Sequence, residues 1–385
     1  MRDTLLIVTT SFPQAGDGSE AAGAFVADVA SELAARVPVR VVAPGERAGV
    51  DAPMGAVQVR RFTSPGRPLS LLSPLRVTDW PAIVGTLGSL RAETLAASGD
   101  GRVAHVLAFW ALPSGWAALE ASRRHGVPYS VWALGSDIWT LGKTPIVRSV
   151  LRKVIRNASH RFADGLRLGQ DAESISGCPF EFLPSTRRLD QVRTRPLASA
   201  PPYRLLFLGR WHPNKGVDLL LEAMAELDEG SWSRIAEVHI AGGGPLEGLV
   251  RDRVEALQGM GRPIRLSGFL DRDEAAHALG EADFLLLPSR IESIPVVFSD
   301  AMKMQLPVIS MPVGDLPHLM AEHHVGVVAN SVDSRSYAEA IRSALGEAPE
   351  RMRSAMLDCG KRFSMDANKL CRTLGLVDSS TQENA

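Results

Sequence analysis

Short apolar runs alternate with amphipathic stretches along most of the chain. Residues 4–9 and 103–109 are apolar runs of strand length, whereas Phe25, Val29 and Leu33 recur at the four-residue spacing of one helix face. A second series of such runs begins at residue 203. Repeated strand-then-helix units form parallel sheets that helices cover on both faces. The pattern therefore predicts an α/β protein.

The predicted elements fall into two series. In the first, strands are predicted at 4–9, 39–42, 103–109, 129–134 and 161–166, with helices at 24–35, 115–125 and 146–157. In the second, strands are predicted at 203–208, 236–241, 263–266, 283–287 and 307–310, with helices at 216–227, 245–258, 273–279, 296–304, 315–322 and 335–346. Residues 350–375 are predicted to be helical.

Residues 190–202 interrupt this alternation. They are rich in proline and small residues and have no hydrophobic period, which is typical of a linker. A length of 385 residues fits two domains. We predict an N-terminal domain at 1–195, a C-terminal domain at 203–350, and a helical segment at 351–385 that packs back toward the first domain. Two doubly wound domains facing a cleft would bind ligands beyond the carboxyl ends of their strands.

The stretch 205–222 carries the strongest chemical signal. An apolar strand ends at Gly209 and Arg210, a short polar loop follows, and Lys215 and Gly216 open an amphipathic helix. Two cations beside a helix N-terminus suit a diphosphate, because the backbone N–H groups and the helix dipole add partial positive charge. The alternative is an ordinary strand–loop–helix with two solvated cations.

A second polar stretch, 288–302, follows the apolar strand at 284–287 and runs into a helix. Glu292 falls in the loop and Asp300 falls in the helix. Carboxylates accept hydrogen bonds from hydroxyl groups, so a sugar ring or a ribose is the expected partner. The alternative is that Glu292 caps the helix and Asp300 lies on its solvated face.

Together these features resemble the retaining glycosyltransferases of family four, which have the GT-B fold of two Rossmann-like domains. The resemblance covers nearly the whole chain. Its motifs are the loop 11–13 with 23–25, then 110–115, 135–137, 207–210 with 215–216, 241–245, 267–269, 282–283, and the pair Glu292 and Asp300.

The resemblance implies a role for each matching residue. Arg210 and Lys215 would hold the diphosphate of a nucleotide sugar and stabilise its growing charge, without a metal ion or a further cofactor. Glu292 would contact hydroxyls of the donor sugar, as the third catalytic residue. The implied donor-binding residues are Gly23 beside the phosphate or sugar, Gly209, Gly268 and Phe269 near the base, Ser293, and Asp300 on the ribose.

Four positions depart from the family pattern. Asp300 stands where a glutamate is usual, and Pro295 replaces a common glycine. Leu134 and Phe109 stand where many members carry histidines near the transferred sugar. These two departures motivate an alternative function, a non-catalytic nucleotide-sugar-binding or scaffold subunit of a polysaccharide assembly complex. An NAD-dependent oxidoreductase is disfavoured, because the glycines at 242–244 lack the dinucleotide fingerprint.

The first domain offers candidates for the acceptor side. Trp110 and Trp139 follow predicted strands and could stack on an acceptor sugar, and Asp137 could act as a base or serve only as a loop or capping residue. His105 lies in a strand, where a histidine is more often a core residue. Asp271 precedes a predicted helix and is interpreted as its N-cap rather than as a metal ligand.

Charge and composition narrow the partners and the compartment. The three cysteines are widely spaced, which favours a reducing compartment, and no run of about 18 apolar residues predicts a membrane span. No nucleic-acid-binding signature is present. Residues 146–161 form a basic amphipathic helix, which either contacts anionic lipid or packs on its own sheet. We predict a cytoplasmic enzyme that uses a nucleotide sugar and a glycan or lipid-linked acceptor. If the helix at 146–161 contacts lipid, the enzyme is peripheral to the inner face of the membrane.

Overall fold

The computed structural model of the protein describes residues 2–14, 20–51, 53–64, 69, 72, 76–189 and 191–377. They form two compact units. The first comprises Met1–Pro184 and Met365–Ala385, and the second comprises Ser185–Ser364.

The described part of the first unit is built on one sheet, in the order β3-β4-β2-β1-β5-β6-β7-β8. Its strands are β1 (Thr4–Val8), β2 (Val39–Gly45), β3 (Gly49–Val50), β4 (Val57–Thr63), β5 (Val103–Phe109), β6 (Tyr129–Ala133), β7 (Arg161–Ala163) and β8 (Glu181–Phe182). Its helices are α1 (Glu20–Ala34), α2 (Trp80–Ser98), α3 (Ser114–His125), α4 (Ser136–Trp139), α5 (Pro145–Asn157), α6 (Leu166–Ser176) and, from the C-terminal segment, α15 (Ala367–Thr373).

The second unit has a sheet in the order β11-β10-β9-β12-β13-β14. Its strands are β9 (Tyr203–Leu208), β10 (Ile235–Ala241), β11 (Ile264–Ser267), β12 (Phe284–Leu287), β13 (Val308–Ser310) and β14 (Gly326–Val328). Its helices are α7 (Val217–Ala225), α8 (Glu229–Trp232), α9 (Glu247–Gly259), α10 (Arg272–Glu281), α11 (Val296–Lys303), α12 (Leu316–His323), α13 (Ser334–Leu345) and α14 (Arg353–Lys361).

Both sheets have the strand order of a doubly wound fold. In the second unit all neighbouring strands are parallel, and the order 3-2-1-4-5-6 places the change of winding direction between β9 and β12. In the first unit the strands from β4 to β7 repeat that order, with the change between β1 and β5. The predicted α/β class with two doubly wound domains is confirmed.

Helix α2 was absent from the sequence prediction because its buried face does not look apolar. That face includes Thr86, Leu90, Thr94 and Ser98. The Thr94 hydroxyl donates to Leu90 O and the Ser98 hydroxyl to Thr94 O, each at 2.7 Å. Because these hydroxyls bond to their own helix, they can be buried without an external partner. The hydrophobic period that would have revealed α2 is therefore missing.

The division between the units lies before the predicted linker. The chain passes from one unit to the other at Pro184 and Ser185, whereas a boundary near 195–203 was predicted. The Arg193 guanidinium donates to Leu279 O at 3.0 Å and to Ala282 O at 2.6 Å. Arg195 binds the buried carboxylate of Asp283 at 3.0 Å. These bonds fix the proline-rich segment to the second unit. The segment contains no helix or strand at 191–202, as its sequence predicts.

The C-terminal segment is shared between the units. Helix α14 packs against α11 and α12 of the second unit, and α15 belongs to the first unit and packs against α1. Leu370 and Cys371 of α15 join the same hydrophobic cluster as Val29 and Leu33 of α1. Helix α15 thus belongs to the first unit and α14 to the second.

Helix α5 is the basic amphipathic helix that the sequence predicts, and it packs on its own unit. Leu151, Val154 and Ile155 are buried in the core of the first unit. The guanidinium groups of Arg152 and Arg156 donate to Ile175 O and Ser176 O at the C-terminal end of α6. No helix within the described ranges is long and apolar enough to cross a membrane. Much of the basic character of α5 is therefore used within the unit.

The buried histidine of β5 is a core residue, as predicted. His105 is almost fully buried, and its Nε2 lies 2.8 Å from the Ser130 hydroxyl of β6. Burial, with a smaller contribution from His160, lowers the pKa of His105 to about 4. The imidazole is therefore neutral in the folded protein at pH 7.

Replacing His105 with glutamine should remove an acid-sensitive contribution to stability. Because the folded-state pKa lies below the ordinary 6.5, the unfolded state binds more protons between pH 6.5 and 4. Relative to the variant, the wild type should lose up to about 3 kcal/mol of unfolding free energy across that interval. Urea unfolding of both proteins at pH 7, 5.5 and 4.5 measures the difference, and a difference independent of pH would contradict the assignment.

Candidate functional site

The loops that follow β9 and β12 lie at the point where the strand order of the second sheet reverses. Doubly wound sheets bind ligands beyond the carboxyl ends of their strands at this point. The first loop carries Gly209, Arg210 and Lys215, and the second carries Glu292 and Ser293. The fold thus brings the strongest predicted residues to one edge of one sheet.

Gly216 allows these two loops to touch. Its φ is +71°, in the left-handed region that favours glycine. A Cβ at this position would lie 1.9 Å from Pro288 O, which is closer than any real contact. Close approach of the loops therefore requires glycine at the start of α7.

Arg290 fastens the two loops together, and sequence reasoning missed it. Its guanidinium binds both carboxylate oxygens of Asp218 at 2.8 and 2.6 Å, and also donates to Pro213 O at 2.6 Å. Its backbone N–H donates to Asn214 O at 2.8 Å. The hydrogen bonds to Asp218 raise the pKa of Arg290. The only sequence signal for this role was the position of Arg290 two residues before Glu292.

Lys215 and Glu292 form an ion pair between the loops. Both side chains are partly exposed. The Arg210 side chain is exposed and forms no hydrogen bond or ion pair with residues in the described ranges. Burial, followed by the charges of Arg210 and Lys215, lowers the pKa of His212 between them. The charges of Arg210 and Lys215 therefore both act on His212, in the loop between them.

The glycines at 242–244 hold the neighbouring loops close together. Gly242 N–H donates to Ser267 O and Gly268 O at 3.2 and 3.1 Å, and a Cβ on Gly242 would lie 1.9 Å from Gly209 O. A Cβ on Gly243 would lie 2.8 Å from the ring of Phe269, which is 42% exposed. Backbone packing accounts for the glycine run, and the same packing places Gly268 and Phe269 beside Gly209.

Two buried polar atoms near this edge lack a hydrogen-bond partner among the described residues. They are the Ser293 hydroxyl and Trp211 Nε1. Trp211 lies next to Arg210 and was not among the predicted residues. Buried polar groups in proteins are nearly always satisfied, so these atoms are available to water or a ligand.

Asp300 is placed differently from the expectation. Its side chain is fully buried, and Oδ2 accepts a hydrogen bond from Arg187 Nε at 2.9 Å and a second from Arg187 Nη2. The predicted ribose ligand is therefore paired within the second unit rather than open to solvent.

Two predicted site residues of the first unit, Gly23 and Asp137, contact the backbone of their own unit. Gly23 packs on the preceding loop, since its Cβ would lie 2.4 Å from Phe12 Cα. The buried Asp137 accepts from Ala111 N–H at 2.6 Å and from Leu134 N–H at 3.2 Å. Burial raises the pKa of Asp137 to about 6. Both carboxylate oxygens are thus used to join the ends of β5 and β6.

The aromatic residues of the first unit are largely packed. Trp110, at φ +67°, lies edge-on to Phe25 with ring centroids 6.3 Å apart. Trp139 Nε1 donates to Asp171 at 2.8 Å. Phe109 is buried against Trp132, with ring centroids 4.9 Å apart. Phe109, where the family often has histidine, is therefore a core residue here.

The predicted cap at Asp271 is confirmed. Its carboxylate accepts from Glu274 N–H, and the Glu274 carboxylate accepts from Asp271 N–H, both at 2.9 Å. This reciprocal pair is a capping box. No group of three or more His, Cys, Asp or Glu side chains in the described ranges is arranged to hold a metal ion.

Comparison with known proteins identifies the family. Residues 202–347 match the family described as "Glycosyl transferases group 1", and residues 20–181 match the "Glycosyl transferase 4-like domain". The chain belongs to the group 1 glycosyltransferases of family-four type. The predicted resemblance is confirmed, and the non-catalytic alternative is not favoured.

Relatives of this glycosyltransferase support the assignment along the chain. The D-inositol 3-phosphate glycosyltransferase of Thermomonospora curvata is 26% identical over 97% of this chain and 91% of its own. That of Corynebacterium aurimucosum is 29% identical, over 48% of this chain and 46% of its own length. The putative colanic acid biosynthesis glycosyltransferase WcaL of Escherichia coli is 30% identical over 42% of each chain.

Solved structures share the fold of this glycosyltransferase. Sucrose-phosphate synthase from Thermosynechococcus elongatus aligns with a TM-score of 0.71 at 18% identity, over 97% of each chain. Anabaena HepE in complex with UDP and glucose aligns with a TM-score of 0.70 at 15% identity, over 97% of this chain and 98% of its own. The predicted GT-B fold is confirmed.

Gly216→Ala should separate the two loops of the second unit. The substitution places a side chain at positive φ and against Pro288 O, and we expect a loss of about 2 kcal/mol or more of unfolding free energy. Gly248→Ala is the matched control, because Gly248 lies in α9 with nothing within 4 Å of its Cβ. Hydrogen exchange of β9 and β12 amides measures both variants, and equal effects would contradict the packing argument.

Proposed function

We propose that the protein is a retaining glycosyltransferase. It would move a sugar from a nucleoside-diphosphate sugar to a hydroxyl of a glycan, a lipid-linked saccharide or a small molecule. The observation that carries this proposal is the placement of Arg210, Lys215 and Glu292 on two fastened loops at the reversal point of the second sheet.

The two cations suit the leaving diphosphate. The exposed Arg210 guanidinium can offer a bidentate fork, and Lys215, five residues further along the same loop, adds a point charge. As the bond between the sugar and the diphosphate breaks, negative charge grows on the phosphate oxygens. Fixed positive groups stabilise that charge without reorganising, and we propose that they act here without a divalent ion.

Donor binding would rearrange the Lys215–Glu292 ion pair. A diphosphate near Arg210 competes with the Glu292 carboxylate for the Lys215 ammonium. Once released, Glu292 can accept hydrogen bonds from hydroxyls of the donor sugar. Lys215 would then contact the diphosphate and Glu292 the sugar. Each member of the pair would thus bind one half of the donor.

Retention would follow from attack on the face that the diphosphate leaves. The C1–O bond to the diphosphate breaks, a C1–O bond to the acceptor forms, and the acceptor proton passes to a diphosphate oxygen. This route needs no nucleophilic side chain. The described first-unit candidate Asp137 has both oxygens on backbone amides, which supports a route without a carboxylate nucleophile.

The names of similar proteins support particular substrates. HepE structures hold UDP, UDP with glucose, or UDP-glucose, which supports a uridine donor. The Thermomonospora relative is named for D-inositol 3-phosphate, and the Escherichia relative for colanic acid biosynthesis. The first name favours a phosphorylated small-molecule acceptor, and the second favours a polysaccharide precursor.

Arg210→Ala should abolish most donor turnover. The wild type is incubated with UDP-, GDP-, ADP- and dTDP-sugars, together with inositol phosphate, glycan and lipid-linked acceptors, and release of nucleoside diphosphate is measured. Loss of one preorganised cation should lower kcat by about 100-fold to 1,000-fold. Arg251→Ala, which removes an exposed arginine of α9, should leave turnover unchanged.

Two outcomes would contradict the proposed function. Binding of a nucleotide sugar without turnover would favour the non-catalytic alternative, and no binding at all would exclude both. If turnover is found, the anomeric configuration of the product by ¹H NMR tests retention. An inverted product would refute front-side attack.

We also propose that α5 contacts the cytoplasmic face of a membrane. Ile146 is 80% exposed and Val150 is 39% exposed, and Lys153 follows on the same helical face. The exposed Lys143 precedes the helix. Apolar side chains flanked by lysines suit the boundary between anionic headgroups and acyl chains. The buried face of α5 is occupied by the core, so contact would use only this narrow stripe.

Ile146→Ser with Lys153→Glu should weaken binding to vesicles that contain phosphatidylserine. Loss of the apolar side chain that would insert between the lipids, and reversal of a charge, should lower the affinity at least about tenfold. Met260→Ser is the control, because Met260 is 68% exposed in the second unit. Co-sedimentation measures all three proteins, and equal binding by them would contradict the proposed contact.

A further inference from the structure

Three side chains of α11 hold the segment that begins the second unit. The Lys303 ammonium donates to Arg187 O at 2.6 Å and to the Thr186 hydroxyl. The Ser299 hydroxyl lies 3.5 Å from the Thr186 hydroxyl. Asp300 binds the Arg187 guanidinium. Residues 186–187 therefore lie along one side of α11.

The Arg187–Asp300 pair is the buried centre of this attachment. Asp300 is completely buried, and the Arg187 side chain is 17% exposed. Two donors of one guanidinium converge on the single oxygen Oδ2. Charge-assisted hydrogen bonds of this kind are stronger than neutral ones, and breaking a buried pair leaves a charge without compensation. The carboxylate is thus committed to Arg187.

This arrangement conflicts with a ribose contact. The aspartate is one methylene shorter than the glutamate of the family pattern, and no part of it reaches the surface. Oδ1 is buried and has no hydrogen-bond partner among the described residues. Because Arg187 occupies Oδ2, only the buried Oδ1 is left to accept a hydrogen bond from water or a ligand hydroxyl.

We propose that Asp300 is a positioning residue that anchors residues 185–188 on α11, and that it does not bind the ribose. Helix α11 continues directly from the loop that carries Glu292, and the second unit begins at Ser185. The anchor therefore links the loop of the proposed donor site to the start of the second unit. The ribose part of this inference rests on the proposed function.

Two measurements on the full chain test the anchor. The first is hydrogen exchange of the amides at 185–189 in the wild type, Asp300→Asn, Arg187→Gln and Arg187→Lys. We expect amide exchange to be at least tenfold faster in Asp300→Asn and Arg187→Gln than in the wild type. Arg187→Lys should show an intermediate increase, because lysine keeps the positive charge but not the paired donors of the guanidinium. Glu229→Gln, which unpairs the distant Arg262, is the control and should leave these amides unchanged.

The second measurement is the ratio of the Kd values of 2′-deoxy-UDP and UDP, or of the matching pair for whichever nucleoside diphosphate binds. We expect the ratio to stay within twofold in Asp300→Asn and Asp300→Glu. A ratio that falls to one in Asp300→Asn, or rises severalfold in Asp300→Glu, would show a ribose contact and overturn the proposal. Unchanged exchange at 185–189 in all variants would overturn the anchor.

The two proposals fail separately. If none of UDP, GDP, ADP or dTDP binds the wild type, the proposed function fails, while the exchange measurement still tests the anchor. If nucleotide binds normally and the anchor measurements fail, the proposed function stands. Because Arg187→Lys keeps a cation beside Asp300, it keeps the test available if Asp300→Asn does not fold.

Discussion

The contact between the loops after β9 and β12 is the interaction on which the rest of the site depends. Parallel pairing of these strands brings the loops side by side, and glycine at 216 removes the side chain that would separate them. The Arg290 fork on Asp218 then fixes their spacing. Lys215 and Glu292 can meet only because this framework exists. The chemistry of the second unit is therefore set by a backbone contact first and by charge second.

The predicted acceptor-side residues and the two predicted cations differ in how firmly their side chains are bound. In the first unit, Asp137 and Trp139 bind groups of their own unit, and Asp137 holds the ends of two neighbouring strands together. In the second unit, Arg210 remains exposed and Lys215 has a partner that an anion can replace. Residues that are fixed by several internal bonds are poorly suited to exchange partners with a substrate. The proposed catalytic groups, Arg210, Lys215 and Glu292, all lie in the second unit.

The sequence allowed prediction of what depends on local order. Strand length, helix period and the loop motifs around Arg210 and Glu292 are local, and they led to the fold class and to the residues of the second-unit edge. The pairs that fasten the loops and α11 are distant in sequence: Arg290 lies 72 residues from Asp218, and Arg187 lies 113 residues from Asp300. No local pattern reveals such partners. Helix α2 was missed for a different reason, because threonine and serine on its buried face bond to its own backbone.

In the proposed donor site, the Glu292 carboxylate would also compete with incoming anions for Lys215. An incoming diphosphate would replace a carboxylate that is already bound to Lys215, so one ion pair would be exchanged for another. Neutral sugars and singly charged small anions would gain little by this exchange, whereas a multiply charged diphosphate would gain contacts to both cations. This exchange forms one ion pair while it breaks another, so the net gain in ion pairs is smaller than for binding to two unpaired cations. Added salt should therefore weaken diphosphate binding less at this site than at a site with two unpaired cations. The proposed site would therefore select for charge density rather than for charge alone.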